Sequence, residues 1–137
     1  MINYNNDNLY MLTYREYQMY SYDFYKSLVI LDYMYDCFDQ STIHNEKSYM
    51  FDTNTGKLLS EEEILSTFDT SLDKVKDEVR EYLNSKQEVV NEIELIKIDE
   101  TINDFNYGLF VNDVGRLNVT FLVKSTQTDY NDSIVIE

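Results

Sequence analysis

An α+β fold is predicted, with an antiparallel sheet carrying one main amphipathic helical region, about residues 61–86, on one face. Three observations predict it. Aromatic and β-branched residues dominate the first fifty positions and the C-terminal third. Between them runs one segment with the three-and-four spacing of a helix, and a serine cap opens that segment.

Taken in order, Leu9 to Tyr25 reads as one or two strands. Tyr10, Tyr14 and Tyr17 also fit a helical stripe there, so both readings stay open. Ser27 to Phe38 (SLVILDYMYDCF) is the clearest strand: a continuous apolar run, then Tyr33, Tyr35 and Cys37 alternating against Asp32, Met34 and Asp36. Lys47 to Asp52 reads as a short strand. Asp52-Thr53-Asn54-Thr55-Gly56-Lys57 is a turn, with Gly56 free to take a positive φ. Ser60 and Glu63 form a capping box, each side chain taking the other's amide. Ile64, Leu65, Phe68, Leu72, Val75, Val79 and Leu83 then line one helix face, and Asp69-Thr70-Ser71 offers a place to break it in two.

Residues 89–102 read equally as helix, through Val89, Val90, Ile93 and Ile96, and as strand, through the Glu92-Ile93-Glu94-Leu95 alternation. Tyr107 to Asn112 and Arg116 to Lys124 are strands joined by an Asp113-Val114-Gly115 turn, which makes them a hairpin. On the second strand, Leu117, Val119, Phe121 and Val123 share a face. Ser133 to Glu137 is a last strand, with Ile134 and Ile136 facing one way. There is no proline, repeat or low-complexity linker, so residues 1–137 read as a single domain.

The charge is the first unusual property. Twenty-six acidic against eleven basic residues leave a net of −15, which repels nucleic acid and anionic lipid and favours a basic partner. The second is thirteen tyrosines without a tryptophan, ten of them before residue 50. Tyrosine packs a large ring and keeps a hydroxyl for a partner. Tyr20, Tyr22, Asp23, Tyr25, Asp32, Tyr35 and Asp36 are therefore the candidate contact residues. The competing reading makes the same residues a two-sided strand pair. No apolar run is long enough to span a bilayer. The polar start, Met1 to Asn8, predicts neither signal peptide nor anchor. That leaves a cytoplasmic protein, or a domain trimmed from a longer exported parent.

Catalytic sets are scarce. Cys37 and His44 are each alone of their kind, which excludes an internal disulfide and metal sites built on several thiolates or imidazoles. A Cys37–His44 dyad is the one nucleophilic pair available, and a cysteine in an apolar strand is usually packed and inert. Three glycines cannot build a dinucleotide or phosphate cradle. Asp52, Asn54, Ser60 and Glu63 fall at the spacing of a calcium loop. The glycine such a loop needs at its sixth position is Lys57, however, and no helix precedes Asp52. No metal, cofactor or catalytic residue is expected.

The stretch Tyr49-Met50-Phe51-Asp52-Thr53-Asn54-Thr55-Gly56-Lys57-Leu58-Leu59, followed by an acidic helix, resembles the RsiV-like domain. Asn106-Tyr107-Gly108-Leu109-Phe110-Val111 and Gly115-Arg116-Leu117-Asn118-Val119-Thr120-Phe121 are similar to that family's later aromatic strand, glycine turn and apolar strand. The resemblance covers about residues 15–137. The glycine pair and histidine usual upstream of the turn are replaced by Ser41-Thr42-Ile43-His44. The proline and glycine before the last strand give way to Thr128-Asp129-Tyr130-Asn131.

The resemblance implies a non-catalytic extracytoplasmic binding or sensing domain of a bacterial surface protein. Its implied partners are a cationic protein such as lysozyme, or cell-wall glycan. The alternative expectation is a small acidic phage- or plasmid-type inhibitor that mimics nucleic acid. An enzyme is the least favoured class.

Overall fold

The computed structural model describes residues 11–36, 42–87 and 95–137. β1 (Met11–Tyr22) and β2 (Tyr25–Asp36) form a hairpin paired from Met11↔Asp36 to Tyr22↔Tyr25. Its two-residue turn closes because Asp23 takes φ 51°, a left-handed conformation that a short polar side chain tolerates. The segment left open between strand and helix is strand. β3 (Thr42–Asp52) pairs antiparallel with β2, and β4 (Lys57–Leu58) pairs with the end of β3, giving the order β1-β2-β3-β4. β3 starts five residues before the expected Lys47. Pairing to β2 carries the polar Asn45 and Glu46 into the ladder against their own propensity.

The turn forms as its residues dictate. Asp52 Oδ1 accepts from the amides of Asn54 (2.9 Å) and Thr55 (3.3 Å), and Gly56 sits at φ 70°. α1 (Glu61–Thr67) is then capped by Ser60, whose Oγ accepts from the Glu63 amide at 3.2 Å. The reciprocal half of the capping box is replaced by an ion pair, Lys57 Nζ to Glu63 Oε1 at 2.8 Å. The break falls at Asp69, φ 50°, after which α2 (Leu72–Gln87) runs for 16 residues. Ser60→Ala should cost about 1 kcal/mol in urea unfolding, since the cap serves one amide at an exposed helix start.

α3 (Ile98–Asn103) places helix where the sequence allowed either state, although residues 88–94 lie outside the described ones. β5 (Tyr107–Val111), β6 (Leu117–Val123) and β7 (Tyr130–Val135) make a second antiparallel sheet in the order β5-β6-β7. The α+β class holds, with its strands divided between two sheets and its main helix packed on the second.

Three layers result. Val75, Val79 and Leu83 of α2 are fully buried against Leu117, Val119, Phe121 and Val123 of β6, with Leu109, Val111, Ile96 and Ile102 around them. Asp132 of β7 fastens α2 by accepting from Tyr82 Oη and Lys86 Nζ, both at 2.8 Å. On the other side, Phe110 packs with Val29, Leu31 and Tyr20 of the first sheet.

The free edge of β5 meets that sheet through serines rather than a strand. Ser48 Oγ donates to the Leu109 carbonyl at 2.6 Å, and the Val111 amide donates to Ser27 Oγ at 3.0 Å. Gly108 permits this approach, because a Cβ there would stand 2.8 Å from Ser48 Oγ. The helices thus cover the second sheet, and the second sheet covers the first. Among the described residues, no element covers the first sheet's far face.

Candidate functional site

Strand alternation assigns each residue of the first sheet to a face. Val29, Leu31, Glu46, Ser48 and Met50 point inward. The outward set lies in register: Arg15, Asp32 and Asn45 in one row, then Tyr17, Ile30 and Lys47. The next rows are Met19, Leu28 and Tyr49, and finally Ser21, Lys26, Phe51 and Leu58. Met19 is 68% exposed, Tyr17 59%, Leu58 47% and Phe51 41%, with Tyr49 beside them. Single exposed apolar residues are ordinary; a contiguous set on one flat face is a mark of association.

The continuous run Leu28-Val29-Ile30-Leu31 follows from this geometry. Its odd members fill the core and its even members, half-buried by their neighbours, floor the outer face. The one ion pair described on that face joins Arg15 Nε to Asp32 Oδ1 at 2.6 Å. Lys26 and Lys47 are exposed and have no ion-pair partner among the described residues.

The residues singled out from sequence do not form one surface. Tyr20 faces inward, its ring stacked on Phe110 at 4.7 Å and its hydroxyl donating to Gln18 Oε1 at 3.2 Å. Tyr22 lies against Gly115, where a Cβ would come within 2.5 Å of its ring. Asp23 forms the hairpin turn, and Tyr25 packs on the core beside Phe24. Asp32 alone of the described set lies on the outer face. Tyr35 and Asp36 are paired in β2, but their side chains lie outside the described residues, as do Cys37 and the side chain of His44.

Two polar features remain. A cleft of about 280 Å³ opens between β3, α1 and β5, lined by Glu46, Ser48, Leu59, Glu61, Ile64 and Tyr107. Tyr107 Oη donates to Glu61 Oε1 at 2.5 Å, so these two polar groups of the cleft satisfy each other. Burial and then that bond push the Tyr107 phenol up.

Deeper, between the sheets, Glu46 is 3% exposed. Asn131 Nδ2 donates to its Oε1, while its Oε2 has no hydrogen-bond partner among the described residues. Burial pushes the carboxyl up to about 8, against the smaller lowering effect of Asn131 and Thr120. No group of three His, Cys, Asp or Glu side chains suited to a metal occurs among the described residues. In the turn, Asp52 and Glu63 are engaged by backbone amides and by Lys57 respectively.

A scan against protein-family models matches no family, and searches of curated proteins and of solved structures return no match. Among the described residues, no helix is long and apolar enough to cross a membrane.

Proposed function

We propose that this chain is a non-catalytic binding module that docks a protein partner on the outer face of its four-stranded sheet. The observation that carries this reading is the apolar set Tyr17, Met19, Tyr49, Phe51 and Leu58, brought together by strand register and covered by no other element among the described residues. Aromatic residues and methionine are the types enriched at association surfaces. In the RsiV-like reading such a module is extracytoplasmic and senses its partner.

Photo-crosslinkers at positions 17 and 49 in the native host test the face. One discrete adduct is expected, lost on Met19→Glu. No adduct from either position, or one that Met19→Glu leaves intact and that position 77 on α2 gives equally, overturns the reading.

A second reading draws on a separate observation. Glu62, Asp69, Asp73, Asp77 and Glu81 are all exposed along α1 and α2, a surface suited to a cationic protein such as lysozyme. Calorimetric titration at low salt, with lysozyme and with soluble muropeptides, tests it. Binding of lysozyme that Asp73→Lys with Asp77→Lys abolishes supports this reading; no heat with either ligand sinks it. The same acidic surface motivates the nucleic-acid-mimic alternative, which predicts competition with DNA for a DNA-binding protein.

A further inference from the structure

The outer face inverts the charge of the molecule around it. Four of its rows, from Arg15–Asp32–Asn45 to Ser21–Lys26–Phe51–Leu58, hold three basic side chains and one acidic, a +2 over those rows in a chain of −15. The carboxylate of these four rows, Asp32, is bonded to Arg15. Lys26 and Lys47 bracket the apolar centre: Lys47 shares a row with Tyr17 and Ile30, and Lys26 shares one with Phe51 and Leu58. A chain with twenty-six acids has placed only that one among the thirteen residues of these rows.

From this geometry we infer that the occupant of the face is an acidic protein surface with an apolar centre, the opposite of what the whole-chain charge predicts. The inference rests on the docking-face reading and assigns the chemistry of its partner. Carboxylates on such a partner meet Lys26 and Lys47 at the rim of the contact, while its apolar side chains cover Met19, Leu28 and Tyr49.

A second copy fits less well. It would set lysines against lysines, and it would join two bodies of −15 each. A basic partner would meet Lys26 and Lys47 at the contact and be held only by charge elsewhere on the molecule. Long-range attraction of such a partner to the acidic helices is compatible with this face remaining free. The two surfaces lie on different layers, one on α1–α2 and one on β1–β4. A module able to bind both would bridge a basic and an acidic protein.

The test uses the full 137-residue chain and two amphipathic peptides of equal apolar content. One has glutamate at every polar position and the other lysine. Amide chemical shifts are followed during titration, at low and at about 0.5 M salt.

The expected result is that the glutamate peptide shifts Tyr17, Met19, Leu28, Lys47 and Tyr49. It should weaken about tenfold with salt and by about tenfold or more in the Lys26→Glu, Lys47→Glu double variant. The lysine peptide should shift α1 and α2 instead. The inference is overturned if the lysine peptide takes the outer face, if the double variant binds the glutamate peptide as before, or if neither peptide shifts these residues. It is also overturned if sedimentation equilibrium finds a dimer that Met19→Glu dissociates, since the occupant is then a second copy.

Failure of the peptide test with the crosslinked adduct of positions 17 and 49 still lost on Met19→Glu removes the acidic partner and leaves the docking face standing. Absence of that adduct removes both.

Discussion

Glu46→Gln should stabilise the protein at neutral and alkaline pH and leave it almost unchanged at pH 4. The carboxyl lies between the two sheets, its Oε2 without a hydrogen-bond partner among the described residues, and burial raises it from its ordinary 4.5 to about 8. The sign follows from where the proton is held more tightly. Below pH 4.5 the group is protonated folded and unfolded, and it costs nothing beyond its packing. As pH rises from 4.5 to 8, the unfolded chain ionises while the folded one holds its proton, so stability falls. Above pH 8 the loss is complete. At about 1.4 kcal/mol per pH unit of separation, the glutamine variant gains on the order of 3 kcal/mol at pH 7. Urea unfolding of both proteins at pH 4, 7 and 9 reads the difference directly, and other titrating groups cancel between them. A gap that does not widen with pH would place Glu46 in contact with water.

Phe121→Ala should cost about 3 to 5 kcal/mol, among the largest losses any single truncation here can give. The ring is fully buried on the central strand of the second sheet. It meets the Tyr82 ring edge-on at 6.5 Å and 84°, and the Phe105 ring at 6.2 Å. Removing it leaves a cavity facing α2 on one side and the β5–β7 sheet on the other, and neither can collapse without moving the helix. A fall in the urea midpoint with an unchanged slope is the expected signature. A loss under about 1 kcal/mol would mean that α2 does not pack against Phe121 of β6.

Much of this architecture was legible because local and tertiary signals agreed. Gly56 and Gly115 both take the positive φ their turns require, and Ser60 caps α1. The β6 alternation Leu117, Val119, Phe121, Val123 is buried on one face in full. The first hairpin was less legible for a physical reason. Asp23 supplies the left-handed turn residue where Asn-Gly is the familiar signal, so Tyr22 and Tyr25 gave no sign of a reversal between them.

The outer face was missed for a related reason. A strand apolar on both sides reads as continuously hydrophobic, and periodicity cannot say which side is covered. Leu28-Val29-Ile30-Leu31 carried that information but not its resolution, which depends on which face β5 and Phe110 occupy. The tyrosines followed the same division. Tyr20 and Tyr25 went to packing and Tyr17 and Tyr49 to solvent, a distinction of strand parity and register that residue type does not encode.

Replacing Met19 and Tyr49 together by threonine asks whether the apolar residues on the outer face of β1 to β4 serve the fold or something outside it. Threonine suits a strand and removes the apolar surface without adding charge. The predicted outcome in urea unfolding is a change within about 1 kcal/mol, the scale of lost cross-strand contacts. A loss comparable to that of Phe121→Ala would mean the chain itself buries this face, and the docking surface would not exist.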